Sequence, residues 1–192
     1  MSDKIRTALF GGTFNPFHNG HLAIARSVIR QGLADELWLL VTPCNPWKEG
    51  RRLLDNDLRL EMVSQAVSGI PGVSASDYEF SLPVPSYTAN TLRHIKSDYP
   101  DREFILTIGA DNWVEFDRWR DWQYILDNFK VIVYPRTGCS IGQLPDGVTL
   151  LDCPLVDTSS TEIVARIREG LPIDTLVPAS VARTISELGL YR

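Results

Sequence analysis

An apolar run, Thr7-Ala8-Leu9-Phe10, is followed at once by Gly11-Gly12 and then, after a short polar stretch, by the amphipathic run Leu22–Ile29. That order is strand, tight turn, helix. It constrains the chain strongly, because such a helix must pack back on the sheet that its strand joins. The alternation then repeats. Strand-like runs at Thr7–Phe10, Leu37–Thr42, Val73–Ser76, Phe104–Ile108 and Lys130–Tyr134 alternate with helical patterns at Leu22–Gln31, Asp57–Val67, Ala89–Lys96 and Trp122–Asn128. The second, fourth and fifth strand runs are apolar almost throughout, as in a parallel sheet covered on both faces. Two more helical runs follow, Ser160–Glu169 and Ala179–Leu188. The pattern predicts an α/β fold: a doubly wound parallel sheet of Rossmann-like type with C-terminal helices, in one domain over residues 1–192.

In such sheets, ligands bind beyond the carboxyl ends of the strands, where the strand order reverses. Four segments fall at carboxyl ends: the Gly11-Gly12 turn, Pro43-Cys44-Asn45-Pro46-Trp47-Lys48, Gly109-Ala110-Asp111-Asn112 and Pro135-Arg136-Thr137-Gly138. The first also precedes a helix, whose N-terminus attracts anions through its backbone N–H groups and its dipole. His18 and His21, three residues apart at that helix start, can supply imidazole N–H donors to phosphate oxygens as charge builds on them. They can equally serve as caps and core packing. A metal site is a third reading, with no evident third ligand. Neither GxGxxG nor the P-loop pattern occurs in the chain.

The formal charge of −5 and the scattered basic residues argue against a nucleic acid polymer as partner and for a small phosphorylated ligand. No apolar run has the length of a membrane span, and the first residues lack a signal-peptide pattern. Cys44, Cys139 and Cys153 are odd in number and widely spaced, which suits reduced thiols in the cytoplasm. Asn45–Leu54 and Thr137–Pro145 read as loops that can close over a ligand or simply cover the surface. His94, with no partner in view, reads as a helix-surface residue.

The stretch from Gly11 to His21, GGTFNPFHNGH, resembles the signature of the nucleotidyltransferase superfamily built around H-x-G-H. More narrowly, the chain resembles the bacterial nicotinate-nucleotide adenylyltransferases. Pro43–Lys48 is similar to that family's loop after the second strand, and Ser86-Tyr87-Thr88-Ala89-Asn90-Thr91-Leu92 to its S-Y-T-x-x-T-L segment. Gly109-Ala110-Asp111-Asn112 with Phe116 and Trp119 resembles its G-x-D strand end and following aromatics. Ser159-Ser160-Thr161 and Leu188-Gly189-Leu190-Tyr191 resemble its I-S-S-T element and its tail.

The resemblance implies adenylyl transfer from ATP, accompanied by Mg²⁺, to nicotinate mononucleotide, giving deamido-NAD and pyrophosphate. It implies catalytic roles for His18 and His21 on the ATP phosphates. Further ATP contacts are expected from Gly11, Gly12, Thr13, Phe14, Gly109, Asp111, Arg136, Ser159, Ser160 and Thr161. Asn15, Lys48, Tyr87, Thr88 and Trp119 are expected around the mononucleotide, with Trp119 stacked on the pyridine ring, Thr88 near its carboxylate and Lys48 near its phosphate. From the residues alone, Trp119 also reads as core, Thr88 as a cap for the helix at Ala89, and Ser159 with Glu162 as a capping box. Two positions depart from the family pattern. Asn15 replaces the usual Asp, and Val164 stands where S-S-T-x-I-R has an arginine, leaving Arg136 or Arg168 to supply the charge. Sister enzymes acting on nicotinamide mononucleotide or phosphopantetheine, and a nucleotide-binding regulatory domain without catalysis, are the alternatives. His18 argues against the phosphopantetheine enzyme, which usually has Thr there. The sequence is compatible with a homo-oligomer as well as a monomer.

Overall fold

The structure is a computed structural model and describes residues 4–43, 53–155 and 158–192. Its sheet comprises β1 (Ile5–Gly12), β2 (Glu36–Val41), β3 (Val73–Ser76), β4 (Arg102–Gly109), β5 (Lys130–Tyr134) and β6 (Val148–Leu150). The order is β3-β2-β1-β4-β5-β6 and every pairing is parallel. The chain winds outward from β1 in one direction and from β4 in the other, so the order reverses between β1 and β4. Their carboxyl ends, Gly12 and Gly109, therefore flank the crevice where a ligand is expected.

The helices are α1 (Asn19–Arg30), α2 (Asn56–Val67), α3 (Thr88–Asp98), α4 (Ala110–Val114), α5 (Trp122–Asn128), α6 (Ser160–Arg168) and α7 (Ala179–Glu187). Alternating strand residues feed two cores. Ala8 and Phe10 of β1 pack with Val28, Met62, Ile163 and Val181 from α1, α2, α6 and α7. Leu9 faces the other way, onto Leu92 and Ile95 of α3 and Ile125 of α5. Each of these buried side chains larger than alanine contributes roughly 1.5–3 kcal/mol of transfer free energy.

The five strand runs and six helical runs read from the sequence are all present, with ends moved by a few residues. The sequence pattern misses β6 and α4. Val148-Thr149-Leu150 is only three residues long and leaves Thr149 and Leu150 exposed, so it has no buried face to impose a pattern. α4 starts directly at the end of β4 and runs for five residues, too few for a helical period. Thr137–Pro145 contains neither helix nor strand, as expected of a loop.

One side chain ties the sheet to the opening turn. Arg59 of α2 is fully buried, yet no carboxylate pairs with it among the described residues. Its guanidinium donates instead to the carbonyls of Leu54 (3.0 Å), Thr13 (2.6 Å) and Thr42 (3.0 Å), and to Asn56 Oδ1 (2.5 Å). Thr13 follows β1 and Thr42 follows β2. The planar fork of Arg59 thus fixes two strand ends beside the crevice.

Candidate active site

The turn after β1 is held in a conformation that its own sequence does not favour. Phe14 has φ 45°, in the left-handed region, where a bulky side chain costs about 1–3 kcal/mol. The surroundings impose it. The Phe14 ring is buried edge-on against Phe10, Phe17 and His21, with centroids 5.8, 5.5 and 5.0 Å away. A Cβ on Gly12 would lie 2.9 Å from that ring, so glycine is required there by a neighbouring side chain. At Gly11 the nearest heavy atom to such a Cβ is 3.9 Å away. The backbone of Gly11 faces open space along the cavity, where close approach of a ligand is what glycine permits.

Distant segments clamp the same turn. Ser160 Oγ donates to the Pro16 carbonyl at 2.9 Å, and Tyr191 Oη donates to Asn15 Oδ1 at 2.9 Å. Leu54 N–H donates to that same Asn15 oxygen at 3.2 Å. The Asn19 backbone N–H bonds the Leu176 carbonyl at 2.9 Å.

The two histidines form the N-terminal cap of α1. His18 Nδ1 accepts from Gly20 N–H, and His21 Nδ1 accepts from His18 N–H, both at 3.2 Å. The rings stack with centroids 3.6 Å apart. A nitrogen that accepts a hydrogen bond carries no proton, so these bonds assign the ring proton to Nε2 in both residues. The capping role uses the Nδ1 of each ring. Capping through Nδ1 and donation through Nε2 are chemically compatible in one imidazole. Burial, with the charge of Arg136 as a second cause, pushes the His18 pKa down to about 4, so at neutral pH it is an uncharged donor.

That shift has a consequence for stability. An unfolded His18 takes up its proton near pH 6.5, the folded one only near pH 4. Between those values the unfolded state binds more protons, so stability falls as pH is lowered through this window, by on the order of 3 kcal/mol in total. His18→Asn keeps a cap but cannot titrate. The drop in Tm from pH 6.5 to pH 4 is expected to be smaller in this variant, by thermal melts across that range; an unchanged drop would assign the acid sensitivity to other groups.

A cavity of about 570 Å³ lies over the crevice. It is lined by Gly11, Gly12, Thr13, Phe14, His21, Arg136 and Ser160. Tyr87, Thr88, Gly109, Asp111 and Trp119 line it as well. Asp111 Oδ1 stands 3.8 Å from Arg136 Nε. A Cβ on Gly109 would displace the exposed Asp111 carboxylate and approach the Tyr134 ring to 3.0 Å, so glycine is the residue that fits without adjustment. Trp119 is half-buried, its ring 5.2 Å from that of Phe116, so one part packs and another faces the cavity. Thr88 does not cap α3; it is the first helical residue after Tyr87, which itself makes no side-chain cap.

Other expected site residues sit elsewhere. His18 lines a small adjoining cleft that shares His21, Tyr134 and Arg136 with the main cavity. Asn15 is outside the lining, its oxygen turned to Tyr191 and Leu54. Ser159 Oγ accepts from Glu162 N–H at 3.1 Å and caps α6, and Thr161 is exposed. Lys48 and most of the loop around it lie outside the described residues. The sequence reading missed Arg59, Glu79 of the cavity wall, and Arg120, whose guanidinium lies 5.0 Å over the Tyr87 ring. Tyr191 appeared there only as part of a tail motif.

Residues 9–166 match the cytidylyltransferase-like family. Over 184 residues the chain is 44% identical to a Bacteroides fragilis protein named "Probable nicotinate-nucleotide adenylyltransferase", covering 95% of this chain and 92% of that one. The chain belongs to the nicotinate-nucleotide adenylyltransferase family. A Christiangramia forsetii protein of the same name is 39% identical over 193 residues, with 97% of this chain and 98% of that one aligned. The fold is also that of the Plasmodium falciparum nicotinic acid mononucleotide adenylyltransferase solved with NaAD, at TM-score 0.83 over 97% of each chain and 18% identity. As a nicotinate-nucleotide adenylyltransferase family member, the chain is a nucleotidyltransferase. Among its described residues no helix is long and apolar enough to cross a membrane.

Proposed function

We propose that the protein transfers the adenylyl group of ATP to the 5′-phosphate of nicotinate mononucleotide, releasing pyrophosphate and forming deamido-NAD. The observation that carries this reading is the pair of imidazoles that cap α1, His21 lining the cavity that Thr88 and Trp119 also line and His18 lining the cleft beside it. A mononucleotide oxygen attacks the α-phosphorus and pyrophosphate leaves on the opposite side. Such a displacement needs alignment and charge stabilisation more than a protein nucleophile.

In this reading His21 and His18 donate Nε2–H bonds to phosphate oxygens as charge shifts toward the leaving group. Backbone N–H groups around Gly11–Phe14 approach the phosphates, and Asp111 and Gly109 lie beside the adenosine. Tyr87, Thr88 and Trp119 receive the acceptor. Mg²⁺ would accompany ATP, held mainly by phosphate and water. The thiols of Cys139 and Cys153 are free, which supports a cytoplasmic setting.

Arg136 takes the part of the arginine replaced by Val164. It lines the phosphate end, whereas Arg166 is bound to the Pro172 carbonyl at 3.0 and 3.1 Å and Arg168 is exposed. Arg136→Ala is expected to raise KM for ATP about tenfold, the loss of a charged hydrogen bond. An unchanged KM, measured by steady-state kinetics, would transfer the role to Arg168. The activity itself is tested by pyrophosphate release from ATP with each acceptor. Turnover with nicotinamide mononucleotide alone would reassign the acceptor. No turnover with either, despite ATP binding, would make the protein a non-catalytic nucleotide-binding domain.

A further inference from the structure

Glu79 belongs to the 3-10 turn Tyr78–Ser81 and is only 6% exposed, yet it lines the cavity. Its Oε1 accepts from Thr91 Oγ1 at 2.7 Å, and the Thr42 side chain also bonds the carboxyl group. Its Oε2 is buried and has no partner. No Lys, Arg or His forms an ion pair with it among the described residues. An ionised carboxylate in that position would be desolvated without an ion-pair partner, and burial pushes the pKa of Glu79 up.

A buried polar atom without a partner that lines a cavity calls for a ligand group. The surroundings indicate its charge. Thr91 lies one turn along α3 from Thr88, and α3 begins at Thr88 with no side-chain cap. Ser86 Oγ, just before that helix start, is likewise buried without a partner and lines the same cavity. A helix N-terminus, a hydroxyl and a carboxyl group that holds a proton are all donors, and together they suit an anion.

We propose that the Glu79 carboxyl group donates a hydrogen bond from Oε2 to the carboxylate on the pyridine ring of the acceptor, and so favours an acid over an amide there. The inference rests on the acceptor assigned above and deepens it. Two carboxyl groups in contact share one proton, and the bond between them is charge-assisted, about twice as strong as a neutral one. An amide in the same place accepts only a neutral bond. Thr88, singled out by the S-Y-T segment, then has a partner in recognition that lies outside that segment.

Two variants separate recognition from bracing. Glu79→Gln keeps an oxygen for Thr91 and presents an N–H donor from its other atom; Glu79→Met presents none. Dissociation constants for nicotinate and nicotinamide mononucleotides, by calorimetry, give the acid-to-amide preference of each protein. The preference should fall at least tenfold in Glu79→Met and stay within about threefold of wild type in Glu79→Gln. Equal loss of both ligands in Glu79→Met would reduce Glu79 to a brace between Thr91 and Thr42 and overturn the proposal. If Glu79→Met does not fold, infrared difference spectra of the wild type and Glu79→Gln decide. Nicotinate mononucleotide should shift a protonated-carboxyl band in the wild type that Glu79→Gln lacks, and no shift would overturn the proposal. A wild type that neither binds nor turns over nicotinate mononucleotide removes the acceptor assignment and this role with it. A wild type that turns it over while Glu79→Met keeps its preference removes the role of Glu79 alone.

Discussion

His21→Asn is expected to retain the thermal stability of the wild type and to lose kcat by roughly a hundredfold or more, while His21→Gln shows the reverse pattern. The reason lies in the two nitrogens. Nδ1 of His21 is occupied by the His18 N–H bond that helps cap α1. Chemistry on a phosphate oxygen is left to Nε2. An asparagine amide reaches about as far as Nδ1, so it can restore the cap without reaching the ligand. A glutamine amide reaches about as far as Nε2, so it can restore the donor at the expense of a cap worth about 1 kcal/mol. Melting curves read the first property and pyrophosphate release the second. Equal kcat in the two variants would mean that the Nε2 donor has no part in the transition state.

Arg59→Met is expected to destabilise the protein by about 3–5 kcal/mol, measured by urea unfolding, which is a large fraction of the stability of a domain this size. The variant removes the positive charge, but that is not the main loss. It strands the carbonyls of Thr13, Thr42 and Leu54 and the side-chain oxygen of Asn56, and each stranded acceptor costs about 1–3 kcal/mol where water does not replace the donor. Because Thr13 adjoins the left-handed Phe14, kcat should fall together with stability, even well below the unfolding transition. Arg59→Lys should be intermediate, since one ammonium cannot reproduce a planar fork serving four oxygens. A loss under about 1 kcal/mol in Arg59→Met would mean that desolvation of the guanidinium offsets its bonds.

The features legible in the sequence are those imposed by local pattern. The apolar runs that became β2, β4 and β5 announce a sheet buried on both faces, and the Gly11-Gly12 turn announces the crevice. The S-Y-T segment and Trp119 were legible because their order along the chain resembles a known family. Features that depend on distant partners were not legible. Arg59 sits in a helical run where an arginine usually faces water, and its burial depends on the Thr13 and Thr42 carbonyls 46 and 17 positions away. Ser160 was expected on ATP; it does line the cavity, but its hydroxyl is bonded to the Pro16 carbonyl. Asn15 was expected on the mononucleotide, and its oxygen is bonded to Tyr191 and Leu54. For the histidines, sequence could only set capping against phosphate binding. The geometry shows one nitrogen of each imidazole committed to the cap.

The clamps on the opening turn also bear on how the molecule reaches its working form. Ser160 and Tyr191 bond Pro16 and Asn15 at sequence separations of 144 and 176, closing loops that span most of the polypeptide. Contacts of such long sequence separation form late, because the entropy of loop closure must be met before they contribute. The segment holding the histidines is synthesised before either residue that clamps it. A growing chain therefore carries the whole signature motif long before that motif is rigid, and catalytic competence arrives together with cooperative folding rather than ahead of it.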